Sequence, residues 1–289
     1  MNKRGGRPPQ RKGGRGGRPG QQRGHGRPAA EGRAGPKRRS PDDLGGDQVE
    51  GRHAVRELLL IGRRRVLELT MSDDLDDSPL IAEIKDLAED ARVPITYTSR
   101  AKLEAEARTE APQGVLARAH SVRTVNLEDL AGNTRTGQPP FLLALDGITD
   151  PGNLGAILRT AEVAGVTGVV LPRHRAVRLT PAAVKAAAGA IEHLDIALVG
   201  GLPTALSKLR ELEVWSIGLD MGGDLSVFEM NAADSAVVLV LGAEGEGLSR
   251  LVRDRCDLIA SIPQVGGLES LNVAAAAAVA CFEVVRRRS

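Results

Sequence analysis

Aromatic side chains are nearly absent: Tyr97, Phe141, Trp215, Phe228 and Phe282 are all that 289 residues contain. With so few rings to stack on a flat ligand, recognition of one falls mainly to backbone groups. Cysteine is scarcer still. Cys256 and Cys281 are too few and too far apart for a metal cluster, and no Cys-x-x-Cys occurs. His25, His53, His120, His174 and His193 form no His-x-x-x-His pair, so no metal is expected. Both cysteines lie in apolar periodic surroundings without a neighbouring His, which reads as core thiols and not nucleophiles. No apolar run reaches membrane length and no signal-type apolar segment occurs, which predicts a soluble, cytoplasmic protein.

Charge is plentiful but unevenly spread. Residues 1–40 hold 13 Lys or Arg against one acid, Glu31, a net of +12; subtraction from the totals of 39 and 37 leaves 26 basic and 36 acidic residues beyond, a net of −10. The leader, taken as 1–46, is Gly, Arg and Pro with almost nothing large and apolar. It cannot bury enough surface to offset the entropy of ordering and is expected to be a disordered arm. Such an arm attracts polyanions by counterion release, which favours contact with RNA over a purely solubilising tail. A transit peptide needs an amphipathic helix that this Gly and Pro content forbids.

The body is expected to be α/β. From Asp47 to His120 helical and strand patterns alternate: a helix over 49–61, a strand at Arg65–Met71, a helix over 80–91 started by Pro79, then strand, helix and strand at 95–98, 101–107 and 114–119. Residues 121–139 lose periodicity and end in Gly137-Gln-Pro-Pro140, a linker by composition. From 140 to 289 short apolar runs at 141–145, 167–171, 195–199, 214–218, 236–241 and 258–262 alternate with helices. Continuous and not alternating apolar runs imply a mostly parallel sheet covered on both faces. A last helix, 271–287, carries Ala274–Ala278, small enough for very close packing.

Three strand-to-helix loops stand out: Asp146-Gly-Ile-Thr-Asp-Pro-Gly-Asn-Leu-Gly-Ala-Ile-Leu-Arg159, Leu241-Gly-Ala-Glu-Gly-Glu-Gly247 and Ile262-Pro-Gln-Val-Gly-Gly-Leu-Glu-Ser-Leu-Asn-Val273. Taken singly, Asn153 reads as a helix N-cap, Arg159 as a solvated side chain and Ser270 as the cap of the last helix. Gly242, Gly245 and Gly247 permit tight turns around the lone carboxylate of Glu244. Three such loops, each with polar side chains able to meet above adjacent strand ends, point instead to one ligand pocket. A phosphate loop is the weaker alternative, since the Gly-Lys-Ser/Thr ending is missing.

These loops resemble the three signature motifs of the SpoU (TrmH-type) RNA ribose 2'-O-methyltransferases of the SPOUT superfamily. The likeness spans 48–288, including Gly51-Arg-His-Ala-Val-Arg56. It departs at Gln264, where Met is common, and at Ala274, where Ser is often found. The resemblance implies a trefoil-knotted C-terminal domain, an L30e-like small domain that helps select RNA, and a homodimer. It implies S-adenosylmethionine held by Gly242, Gly247, Ile262 and Leu271, and catalytic positions at Asn153, Arg159, Glu244, Ser270 and Asn272. The implied substrate is RNA, above all a guanosine ribose in 23S rRNA, with transfer RNA as another target.

A ribose hydroxyl is a poor nucleophile, so its methylation needs in-line positioning, a proton route and a dry pocket. The family view makes Arg159 a general base helped by the substrate phosphate. A guanidinium stays protonated, so we read Arg159 as a phosphate clamp that polarises the developing alkoxide, with Glu244 orienting it or the loop. An RNA-facing side of the small domain is expected at Arg52, Arg56, Arg63, Arg64 and Arg65. A noncatalytic RNA-binding assembly factor stays open as an alternative. A dehydrogenase or a Rossmann-type methyltransferase ranks last, for want of Gly-x-Gly-x-x-Gly after the first strand of either domain.

Overall fold

Runs such as Phe141–Leu145 and Val237–Leu241 have no polar residue in alternation, so strands made from them need cover on both faces. The computed structural model describes residues 43–132, 137–174, 178–267 and 270–289, the side chains of 232 and 233 apart, and both runs are buried along their whole length. Residues 1–42 of the expected leader lie outside the described residues, as do 133–136 of the linker.

The first sheet is built from β1 (Gln48–Glu50), α1 (Arg52–Ile61), β2 (Val66–Ser72), α2 (Pro79–Asp90), β3 (Ile95–Thr98), α3 (Arg100–Glu106) and β4 (Val115–Ala119). Its order is β1-β4-β2-β3, antiparallel except between β2 and β3. The helix expected from 49 begins instead at Arg52. Gly51, at φ +96°, breaks the run, and the buried Glu50 carboxylate accepts from the amides of Arg108 (2.8 Å) and Thr109 (3.1 Å), holding Val49 and Glu50 in β1.

After α4 (Leu127–Ala131) the larger sheet follows: β5 (Phe141–Leu145), α5 (Pro151–Val163), β6 (Gly168–Pro172), α6 (Pro181–Ala186), β7 (Ile196–Val199), α7 (Leu202–Glu211), β8 (Trp215–Leu219), β9 (Leu225–Ser226), β10 (Val237–Leu241), α8 (Arg250–Arg253), β11 (Leu258–Ser261) and α9 (Val273–Arg288). The order is β7-β6-β5-β10-β8-β11-β9, every neighbouring pair parallel. An α/β body with a parallel sheet is thus what the apolar runs implied. The two-residue β9 is too short to leave a periodic signal.

Two stretches read as irregular are tied down. Leu44 is buried and Gly46 donates its amide to Leu179 O (2.8 Å), although both fall inside the expected leader. In the expected linker, Val125 donates to Ile196 O (2.9 Å) and Leu130 of α4 is buried beneath α7. Composition alone hid the pair Leu127 and Leu130, one helical turn apart. α5 and α6 touch through backbone: a Cβ on Gly155 would sit 2.4 Å from Ala186 Cβ and 2.6 Å from Ala183 O. This close packing fixes the start of α5, where the first motif lies. Among the described residues no helix is long and apolar enough to cross a membrane.

Candidate active site

The strand order turns around at β5 and β10: β6 and β7 extend the sheet on one side, and β8, β11 and β9 on the other. Crevices outside the carboxyl ends of strands at such a reversal are where open α/β sheets bind ligands. The loops after β5, β8, β10 and β11 all emerge there. A cavity between them is lined by Leu219, Asp220, Gly242, Glu244, Ile262 and Leu271, with Gly247, Ser270 and Val273 completing its wall.

Each loop is held by hydrogen bonds to its neighbours. Asp146, directly after β5, accepts from the Ser249 amide at 2.7 Å. Ala243 and Gly247 exchange backbone bonds (3.0 and 2.9 Å), closing the second motif into a small ring with Gly245 and Gly247 at positive φ. Asp220, directly after β8, accepts from the Gly222 amide at 3.0 Å and pairs with Arg253. Burial pushes its carboxyl up, but the amides of Gly222 and Leu248 and the Arg253 guanidinium together hold it below the ordinary carboxylate range. Asp220 therefore carries negative charge against the cavity.

Three side chains expected at the site meet. Asn153 Nδ2 donates to Glu244 Oε2 at 3.0 Å, and Asn272 Nδ2 donates to Asn153 Oδ1 at 2.9 Å. This relay joins the first, second and third motifs across 91 and 119 residues of sequence. The capping roles differ from expectation. Asp150 caps α5, accepting from the Asn153 amide at 2.7 Å, which leaves the Asn153 amide group free to face Glu244. Asn272 caps α9 through the Ala274 amide (2.9 Å), so Ser270 has no capping role and stands in the cavity wall with Leu271.

Arg159 is not part of this cluster. It lies six residues beyond Asn153, about 240° further round a helix, and lines a separate cavity with His53, Glu57, Glu162 and His193. Among the described residues no Lys or Arg lines the motif cavity. Glu244 therefore orients Asn153 and not Arg159 within one chain.

The five arginines expected on one RNA face are divided. Arg64 is withdrawn from that face: its side chain is 3% exposed and is bonded to Glu192. Arg52 pairs with Asp76 and Arg56 with Glu83 and Glu57 at the start of α1. Arg63 and Arg65 are exposed beyond its end, Arg63 beside Asp195 at 3.0 Å. Sequence reading missed Asp146, Asp150 and Asp220. The available signals were an acid directly after an apolar strand run, for Asp146 and Asp220, and an acid directly before a proline that opens a helix, for Asp150.

Among the described residues no cluster of three His, Cys, Asp or Glu is placed to hold a metal ion. Burial pushes both thiols, Cys256 and Cys281, up to about 12. Iodoacetamide at about pH 8 is therefore expected to spare both in the folded protein and to modify both in denaturant. Quick labelling of native Cys256 by mass spectrometry would refute this. A raised thiol pKa means the unfolded chain loses protons first, so stability is expected to fall as pH rises from 9 towards 12.

Comparison with known proteins gives a consistent answer. Residues 140–282 match the SpoU rRNA Methylase family, and 48–125 match the family described as RNA 2'-O ribose methyltransferase substrate binding. The chain is 40% identical over 243 residues to the 23S rRNA (guanosine-2'-O-)-methyltransferase RlmB of Yersinia pestis, covering 83% of this chain and 97% of the relative. It is 36% identical to the enzyme of the same name from Photobacterium profundum, covering 85% and 99%. The fold is shared with the SpoU methyltransferase AviRb from Streptomyces viridochromogenes in complex with the cofactor AdoMet: TM-score 0.70, 24% identity, 83% of this chain and 90% of that one.

Proposed function

This chain belongs to the SpoU rRNA methylase family and is an S-adenosylmethionine-dependent RNA ribose 2'-O-methyltransferase; we propose that its target is a guanosine in 23S rRNA. The observation that supports this most is the Asn153–Glu244–Asn272 relay beside the cavity at the reversal of the parallel sheet.

The cavity suits a methyl-donating sulfonium. Its wall is main chain and mostly aliphatic side chain, with the carboxylates of Glu244 and of Asp220, the latter paired with Arg253, supplying charge of the opposite sign. When bound there, S-adenosylmethionine supplies an electrophilic methyl group. Gly242, Gly247, Ile262 and Leu271 would hold it, largely through main-chain groups, as expected for a chain poor in rings. Asn153, fixed by Glu244 and Asn272, would orient the ribose, and Ser270 would offer its hydroxyl from the wall. Methyl transfer needs a dry pocket, and the exposed Glu244, Ser270 and Asn272 would be covered when RNA binds over the cavity.

The cation for the phosphate must come from elsewhere. In our reading the protein is a homodimer and the partner's Arg159 completes the cavity. The outward side of α5 and α9 supports this: Val163 is 65% and Phe282 47% exposed, on helices that pack together and carry the motifs. The end of the chain, from the second motif to α9, would form the family's trefoil knot. Residues 47–120 would form the RNA-selecting domain and 140–289 the catalytic one. Arg63 and Arg65, with Arg92 and Arg123 lining the cavities beside them, are the RNA-facing set we favour, helped by the basic leader. The site of action in this reading is the cytoplasm.

Mapping 2'-O-methyl groups in rRNA from cells with and without the protein is the test. One guanosine in 23S rRNA is expected to lose its mark. An unchanged 23S map with a lost mark in transfer RNA would move the target, and no loss anywhere would refute the proposal.

A further inference from the structure

The chain passes between its two sheets near Gly46 on the way in and near His120 on the way out. Arg64, in the turn between α1 and β2, reaches both points. Its Nη1 donates to Gly46 O (2.6 Å) and His120 O (2.8 Å), while Nε and Nη2 donate to Glu192 Oε2 and Oε1 at 2.9 and 2.6 Å. Glu192 belongs to the large-sheet half, in a short 3-10 turn at Ala190–Glu192, and both side chains are 3% exposed.

An adhesive contact between two halves could be made from leucine at less desolvation cost. A buried fork of charge supplies direction instead, since two parallel N–H···O bonds fix one orientation. Its surroundings share this character. His193 meets Glu57 at 2.8 Å and Asp195 meets Arg63 at 3.0 Å, so one four-residue segment, 192–195, takes three partners from α1 and the turn after it. Gly189, at φ +93°, lies where a Cβ would come within 2.4 Å of Glu57 Cβ, so α1 docks against bare backbone. Lys185 of α6 closes the other end, donating to Ala111 O at 2.7 Å and to Glu110 O.

We infer that Arg64, acting through Glu192, is a positioning residue for RNA methylation: it locks the RNA-selecting sheet onto the catalytic sheet so that the target ribose arrives at the cavity in register. This rests on the reading of the small sheet as RNA-selecting. It touches no residue of the motif cavity, so its effect is confined to substrates long enough to engage both halves.

The test uses the full chain with Arg64→Met and Glu192→Met combined, which replaces the pair with apolar groups of similar size and leaves no buried charge unpaired. Arg64→Lys is the second variant; it keeps the charge and loses the fork. S-adenosylmethionine affinity is expected to stay within about twofold of wild type for both. KM for a long rRNA fragment is expected to rise at least about tenfold, with kcat little changed, while a minimal RNA too short to reach the small sheet reacts as with wild type. Wild-type KM on the long fragment, or equal losses on long and short RNA, would overturn the inference. RNA affinity by filter binding is read in parallel. An inactive wild type would refute the assigned activity, while an unaltered affinity of the variants for the long fragment would still refute the latch.

Discussion

Gly242→Ala is expected to weaken S-adenosylmethionine binding at least about a hundredfold, nearly 3 kcal/mol, while leaving the protein folded. Gly242 leaves the end of β10 under the ring that Ala243 and Gly247 close. A methyl group there would lie 2.1 Å from Gly247 C, 2.2 Å from Gly247 O and 2.4 Å from Leu248 N. These are backbone atoms, so no side chain can swing away. The ring has to open or shift by more than an ångström, and the cavity wall formed by Gly242, Glu244 and Gly247 moves with it. Overpacking of this kind costs about 1–3 kcal/mol of stability. In a domain of this size each of those is worth roughly 2–4 °C in Tm. Calorimetric titration and a thermal melt separate the two effects. A dissociation constant within threefold of wild type would mean that the second motif does not build the cofactor wall.

Much of this architecture was legible because parallel strands announce themselves. Runs such as Leu142–Leu145 and Val237–Leu241 admit no solvent face, and each ends at an acid or a glycine that stops it. The site motifs were legible for the same reason: they are the segments that follow those stops. What could not be read was the choice among neighbouring polar residues. Asp150 and Asn153 are both good caps, and the winner is set by Pro151 at the first helical position, which fits α5 starting after Asp150. Asn272 displaces Ser270 as a cap because α9 starts at Val273, two residues later than a Ser270 cap would place it. Arg64 was misjudged because a run of three arginines normally marks a solvated surface, and its partner lies 128 residues away. The turn of Arg159 away from Asn153 was different. It follows from 3.6 residues per turn and was open to reading from spacing alone.

Arg159→Ala is expected to lower kcat at least about a hundredfold, as for loss of one preorganised donor to a developing oxyanion. Cofactor affinity should remain within a few-fold, because Arg159 lines no part of the motif cavity. Arg159→Lys should recover part of the rate through its cationic head without restoring the two-pronged grip on phosphate. The decisive measurement mixes Arg159→Ala with Gly242→Ala after unfolding and refolding the two together. If the partner's Arg159 completes each cavity, a hybrid dimer has one competent site, an intact cavity facing an intact arginine. Half the dimers in an equal mixture are hybrids, so at S-adenosylmethionine well below the dissociation constant of Gly242→Ala about a quarter of wild-type activity should return from two nearly inactive proteins. If Arg159 serves its own chain, neither site of the hybrid is whole, since one lacks the arginine and the other the cavity. Persistent inactivity in a mixture shown by mass spectrometry to contain hybrids would therefore place Arg159 in cis, and would require α5 to turn by about a third of a revolution when RNA binds.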